Sequence, residues 1–558
     1  MDPTLCQTRT GCLLRPSSSP SPQPSPSGRG RIAARPAPNL AWFDLPKRWR
    51  GFPLSPRERV GVRGKIPHEW HPSCGTRYGS WKGVRLPWCC PPAFTYPVRS
   101  FLLLGICLFS WSLLAQEVAG DPEDEFGHLE APGGLADPVA RLQHRLADGT
   151  ARLTFKPRGG YLCSLLEALR VPVSSQALVF SKTSSQRDQT SPQTPRAVYF
   201  ADDVSVGFVP GGPVIDVAAV DPNRGPIFYT LDQSPGSQPR FARRSDCRQC
   251  HVGPKTMNVP GLLVRSVYTA SNGTPLSQVD GFVNGHRSPL EQRWGGWYVT
   301  GTHAGAVHLG NLCATNRDHP ERLDLAAGAN VTDLRKRFDT SPYLSPHSDL
   351  VALLVLEHQV RMQNLLTRAN LETRAALDQK QAESDKRALS SPELLSATGV
   401  RFAALRSPSG QPASHWEAEA ARSGASDWSQ ERIALAGEML LEYMLFRDEA
   451  QLKGPVSGTS AFAEEFERRG PRDSKGRSLG EFDLHTRLFR YPCSFMVYSP
   501  AFDSLPQPMK NYLWGRLGQI LTGNDKSATY ATLKTEDRQA LFEILRETKP
   551  EFAAWLRK

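Results

Sequence analysis

Between Ala197 and Leu231 the apolar residues come in short runs broken by turn residues: AVYF at 197–200, VSVGFV at 204–209, VIDVAAV at 214–220 and IFYTL at 227–231. Gly211-Gly212-Pro213 and Gly225-Pro226 punctuate them, a pattern that predicts short strands joined by tight turns. Strand-like text returns at Leu262–Thr269, before a turn signal at Asn272-Gly273, and at Trp297–Thr300. The stretch 117–155 is polar and loop-rich, with one helix predicted around Pro138–Leu146. After Ser345-Pro346 the period changes. The chain runs from His347 to Ser391 without Gly or Pro, and Leu354, Met362 and Leu365 fall on one helical face with His358. Further helices are predicted at Gln430–Arg447, Lys510–Leu521 and Thr535–Thr548. The pattern predicts an α+β protein without internal repeats: a β-rich first half over 117–344 and a mainly α-helical C-terminal region over 345–558.

Residues 1–97 read differently. Ser17–Pro26 is SSSPSPQPSP, Pro and Arg are scattered, and no apolar period is sustained, so this stretch cannot offset its chain entropy by burial. It reads as a disordered or spurious N-terminal extension. Phe101–Ala115, FLLLGICLFSWSLLA, follows Arg99 and precedes an acidic run that begins at Glu117. A basic residue, a short uncharged core and a small exit residue describe a secretory signal peptide over 98–116, too short for the ~20 residues of a membrane span. Val98 is a candidate start, cleavage is expected near Ala115 or Gln116, and Ile106 is too bulky to make Cys107 a lipoprotein site. The competing reading is an anchor that stays attached. Export, to the periplasm or otherwise, with no integral span in the mature chain, is the expectation.

Charge follows the same division. Residues 1–116 carry 16 Lys/Arg against 4 Asp/Glu, so of the 67 basic and 55 acidic groups the remaining 442 residues hold 51 of each. The net charge of +12 thus resides in the leader, and a general nucleic-acid binder is excluded from the body of the chain. A mean hydropathy of −0.41 excludes a multi-span membrane protein.

One motif carries chemistry: Cys247-Arg248-Gln249-Cys250-His251. In an exported chain it reads as the attachment site of one haem c. Two thiols three residues apart on a helical turn each reach one vinyl group, and the adjacent His251 reaches the iron. Ser245 or Asp246 is placed to cap the turn, and Gly253-Pro254 to end it. The competing readings are weaker. A zinc site lacks a second Cys pair and a redox dithiol lacks a βαβ context, while a structural disulfide is what an oxidising compartment allows. Cys163, Cys313 and Cys493 receive no role.

For the sixth iron position the candidates are His303, His308 and His358, or none; Met257 is only six residues past His251. His358 on an apolar helix face has the ordinary reading of a satisfied core histidine. Trp294, Trp297 and Tyr298, around Gly295-Gly296, are candidate walls of a haem pocket or plain core aromatics. Arg240, Arg243, Arg244, Arg248, Lys255 and Arg265 are candidate partners for haem propionates or an acidic redox protein, against the simpler reading of a solvated surface.

Several blocks resemble a family of large exported bacterial proteins with one c-type haem: AAVDPNRGPIFYTLDQ at 218–233, the CRQCH motif followed by VPGLLVRS within 246–266, RWGGWYVTGTHAGAVHLGN at 293–311 and LFRYPCSFMVYSPAFDSLP at 488–506. The resemblance implies haem binding through Cys247, Cys250 and His251 and electron transfer to an unidentified redox partner, and it implies no substrate. A carrier needs only ~100 residues around one haem. The length therefore keeps open a haem-dependent, peroxidase-like oxidoreductase using His303 or His308, and a haem sensor or structural protein.

Overall fold

A computed structural model describes residues 134–236, 238–277, 281–389 and 425–558. The N-terminal extension and the signal-like segment lie outside the described residues. In chain order the main elements are α1 (Pro138–Ala147), α2 (Leu162–Leu169), β1 (Ala177–Val179), β2 (Arg196–Ala201), β3 (Val204–Phe208), β4 (Val214–Asp221), β5 (Gly225–Asp232) and β6 (Phe241–Arg243). Next come α3 (Arg248–His251), β7 (Arg265–Ser266), β8 (Phe282–Val283), β9 (Trp297–Tyr298) and β10 (Gly301–Thr302). The C-terminal region holds α4 (Leu350–Leu389), α5 (Ala425–Met444), β11 (Ser457–Gly458), α6 (Phe462–Glu467), α7 (Pro500–Asp503), α8 (Gln507–Leu521), α9 (Thr535–Thr548) and α10 (Pro550–Trp555). The protein is α+β. An antiparallel sheet forms its first half and helices its C-terminal half.

Seven strands make that sheet, in the order β6-β5-β4-β3-β2-β1-β9. Strands β1 to β6 pair in chain order as a meander: turns of two to five residues reverse the chain from β2 to β5, while longer connections join β1 to β2 and β5 to β6; the β2–β3 register pairs Tyr199 with Val206, and β4–β5 pairs Val217 with Tyr229. β9 adds to the free edge of β1, Leu178 opposite Tyr298. Because side chains alternate across a strand, the sheet has two apolar faces, and both are buried. Ala197, Tyr199, Val206, Ile215, Val217, Tyr229 and Leu231 pack under α1 and α2. Val198, Phe200 and Phe228 face the helices of the C-terminal half. Asp137 fixes α1, accepting from the Val139 and Ala140 N–H groups with one oxygen and from the Tyr229 hydroxyl at 2.8 Å with the other.

α4 organises the second face. Asp349 caps it through the N–H groups of Val351 and Ala352, and its forty residues span about 60 Å at 1.5 Å each. Its first seven turns are buried nearly all round, so its polar residues must find partners inside the protein. Gln359 and Gln363 donate to the carbonyls of Ala201 and Asp202 in the β2–β3 turn, both at 2.7 Å. Asn370 and Arg374 donate to Pro222 and Asn223 in the β4–β5 turn. These bonds tie the helix across one end of the meander. Leu354, His358, Met362 and Leu365, expected on one apolar face, are all buried. Among the described residues no helix is long and apolar enough to cross a membrane.

Candidate functional site

The Cys247–His251 motif folds as one helical turn just after β6, on the sheet face that carries Phe228. Backbone bonds from Arg248 N–H to Ser245 O and from His251 N–H to Cys247 O close the turn. The expected side-chain cap is not formed: Asp246 is held instead by a two-pronged pair with Arg244, at 2.8 and 2.6 Å. Both thiols are free, with Cys250 exposed and Cys247 half-buried at the margin of the helical core. Burial, then the Asp246 carboxylate, pushes the Cys247 thiol up.

His251 is the most constrained member. Its Nδ1 lies 2.8 Å from the carbonyl oxygen of Gly261. A carbonyl only accepts, so Nδ1 carries the proton. Desolvation keeps the ring below its ordinary pKa and hence neutral; the Gly261 bond opposes this, and the charge of Arg196 adds to the lowering. A neutral ring protonated at Nδ1 presents its Nε2 lone pair, the form a metal requires. The Phe228 ring packs against the imidazole with centroids 4.7 Å apart.

The carbonyl that orients His251 is itself held from α4. Asn364 accepts from Leu262 N–H at 2.9 Å and donates to Leu262 O at 2.8 Å, gripping both polar groups of the residue after Gly261. A Cβ on Gly261 would sit 2.8 Å from Asn364 Oδ1 and 2.8 Å from Thr256 Cβ, which is why glycine stands there. One turn further along the helix, Arg368 donates to Met257 O at 3.3 Å. This clamp was not read from the sequence. Its signal is a polar row, Glu357, Arg361, Asn364 and Arg368, spaced at 4, 3 and 4 along an otherwise buried helix.

The three candidate sixth ligands differ in availability. His358 has both nitrogens engaged, Nδ1 with His286 Nδ1 at 2.9 Å and Nε2 with Ser494 Oγ at 2.7 Å, and stacks on Tyr443 and Phe446. It is a satisfied core histidine. His303 and His308 come together with centroids 4.9 Å apart. His303 accepts from Asn330 N–H through Nε2, while the Nδ1 atoms of both rings are buried without a hydrogen-bond partner among the described residues. None of the three touches His251 among the described contacts.

The aromatic segment belongs to the core. Trp294 is fully enclosed at φ +66°, Trp297 Nε1 donates to Arg265 O, and the Tyr298 hydroxyl to Pro192 O. The two glycines admit protein backbone and side chain: a Cβ on Gly295 would meet Val267 O at 2.6 Å, and one on Gly296 would meet Ser181 Cβ at 2.6 Å. Beside them, Arg293 donates to Glu357 at 2.9 Å in a fully buried ion pair. Of the basic residues around the motif, Arg240, Arg243 and Lys255 are exposed and Arg244 is spent on Asp246.

Burial of the histidines gives the protein an acid limb. His308 and His358 are pushed down to about 3 and His286 well below its usual value, mainly by desolvation. His251 and His303 are lowered by the same cause. Unfolded, each ring protonates near pH 6.5. The unfolded state therefore binds more protons below that pH, so the contribution of these rings is intact above 6.5 and drains away as pH falls toward 3. Glu357 and Glu449, both pushed up to about 7 by burial, act oppositely between about 4.5 and 7, and Asp202 and Asp203, raised by the same cause, act with them. Five rings outnumber four carboxyls, and each unbalanced proton is worth about 1.4 kcal/mol per pH unit. Urea midpoints are expected to fall on acidification from pH 6.5 to 4.5; a rise over that range would contradict the assignment.

Compared with protein families, with curated proteins and with solved structures, the chain matches none. Its sheet is antiparallel at every strand pairing, which is not the parallel setting of a thioredoxin-like dithiol. Among the described residues no three His, Cys, Asp or Glu side chains are grouped to hold a metal ion by themselves. What the arrangement provides is two free thiols and a tautomer-fixed imidazole on one turn.

Proposed function

We propose that the protein is an exported c-type cytochrome in which Cys247 and Cys250 would hold one haem through thioether bonds and His251 would bind its iron, and which passes single electrons to and from a redox partner protein. The observation that carries this reading is the hydrogen bond from His251 Nδ1 to Gly261 O, which leaves Nε2 as the only free lone pair of the ring. A ring that merely filled space would not need its carbonyl partner pinned in turn by Asn364. The bound haem would supply a one-electron iron couple. The chain's own residues have separate tasks. The cysteines fix the group's position, Gly261 sets the basicity and direction of the imidazole, and Phe228 shields it from water. Export follows from the signal-like 101–115 segment, because attachment of haem c takes place outside the cytoplasm.

Protein made with a haem-attachment system is expected to retain haem through acid-acetone extraction. Replacing both cysteines by Ala should release all of it; haem that extracts freely from the wild type, or an unchanged spectrum in the double variant, refutes the reading. Low-spin six-coordinate iron in both redox states marks a carrier, whereas high-spin iron that binds carbon monoxide quickly marks an oxidoreductase or sensor. A chain begun at Val98, recoded as Met, should still be exported, processed near Ala115 and loaded. A purified mature chain that retains residues before Val98 would refute the signal assignment.

A further inference from the structure

A cleft of about 220 Å³ opens where the two hydrophobic cores meet, between the end of α2 and α6. Its floor is apolar. Leu166 and Val171 come from the core under α1 and α2, and Phe462 and Phe466 from the helical core. Its rim is charged, with two residues of each sign. Glu167 and Arg170 stand three apart at the end of α2, and Glu465 and Arg469 four apart at the end of α6, so each wall brings an acid and a base close together. Ser174 Oγ donates to Glu465, and Ser460 Oγ donates to Ser174 O at 3.1 Å, which ties the two walls to each other. Arg469 lies over the Phe466 ring at 4.9 Å and meets Asp202 only at 3.8 Å on the surface. The exposed side chains of Glu167 and Arg170 have neither an ion pair nor a hydrogen bond among the described residues. Arg170 is also the residue that ends α2, at φ +56°, its N–H bonding to Glu167 O and Leu166 O. Glycine would make the same backbone bonds without strain in that left-handed conformation, so the cap does not explain an arginine there.

A ligand that answers this rim carries both charges close together on an apolar body. A simple carboxylate would leave two glutamates facing it, and a simple amine two arginines. The volume equals that of about seven waters at ~30 Å³ each, so the ligand is small. We propose that the cleft binds a free α-amino acid with an apolar side chain. Its carboxylate lies on Arg170 and Arg469, in the two-point geometry that guanidinium groups offer, its ammonium on Glu167 and Glu465, and its side chain on Phe462 and Phe466. The site uses no residue of the Cys247–His251 turn and stands apart from the haem reading.

The test titrates the full chain by calorimetry at pH 7 with three probes: L-leucine, 4-methylpentanoate, which lacks the ammonium, and 3-methylbutylamine, which lacks the carboxylate. Leucine should saturate one site below about 10 mM, and each half-ligand should bind about tenfold more weakly or worse, the loss of one charge-assisted contact. Arg170→Gly should lose the same factor for leucine while melting no lower than the parent, because glycine relieves the left-handed strain. Glu465→Gln keeps a partner for Ser174, and it should weaken leucine without weakening 4-methylpentanoate. The absence of saturable heat from both L-leucine and L-phenylalanine up to about 10 mM overturns the proposal. So does 4-methylpentanoate binding as tightly as leucine, which would make the cleft a carboxylate site. Leucine binding that survives both Arg170→Gly and Glu465→Gln overturns it as well, because the amino acid then sits elsewhere.

Discussion

Arg293→Met is expected to destabilise the protein by about 3–5 kcal/mol, enough to leave a typical domain of 5–15 kcal/mol near its limit. The guanidinium makes three buried bonds: to Glu357 at 2.9 Å, to Ser288 O at 2.8 Å and to His286 O at 3.0 Å. Methionine fills similar volume but answers none of them. Glu357 is 0% exposed and already pushed up to about 7 by burial. Deprived of its main counter-charge, it will take a proton rather than remain ionised. This gives the loss a pH signature. A carboxyl whose folded pKa is raised costs stability as pH climbs from its unfolded value near 4.5 through the folded one. The gap between variant and wild type should widen above pH 7 and narrow toward pH 5. Adding Glu357→Gln to the variant should recover a large part of the loss, since a neutral amide needs no cation. Urea melts of the four proteins at pH 5 and 8 measure all of this; an additive double variant would refute the pair as the cause.

Asn364→Ala is expected to cost about 3 kcal/mol and, on the proposed haem reading, to change the iron as well as the fold. The substitution strands the N–H and C=O of Leu262, a buried residue, and each unanswered group costs about 1–3 kcal/mol. The Gly261 carbonyl then loses its anchor, and with it the direction of the His251 ring loosens. In loaded protein the covalent haem content should stay the same, because Cys247 and Cys250 do not depend on Asn364, while the high-spin fraction at pH 7 rises. Asn364→Asp keeps the acceptor for Leu262 N–H and should lose roughly half as much stability. Unchanged iron spectra in the Ala variant would separate the clamp from the site.

The meander was legible because glycine and proline sit at the reversals, and β2 to β5 run within two residues of the sequence limits. The helix Thr535–Thr548 matches its sequence reading at both ends. Leu262–Thr269 misled: only Arg265 and Ser266 pair as a strand. The Leu262 backbone goes to Asn364 and Val267 N–H to Gly295 O, so these apolar side chains serve the core without making a ladder. β1 was invisible, since three residues show no period, yet it joins β2 to β9. At the site, residue types and spacing singled out Cys247, Cys250 and His251, which the structure carries on one turn. The tautomer of His251 could not be read, because it depends on a carbonyl ten residues on and an amide more than a hundred residues away.

The two faces of the sheet close at different moments of a chain's emergence. β2 to β6 pair only with neighbours in sequence, and α1 and α2, which cover one face, precede them. Such local contacts form quickly. The other face waits for α4, whose contact residues begin more than a hundred positions after the last strand of the meander. A chain that emerges N-terminus first thus displays Cys247–His251 on a half-covered sheet before Asn364 arrives to shut the loop. Timing, as much as geometry, is written into the order of these elements.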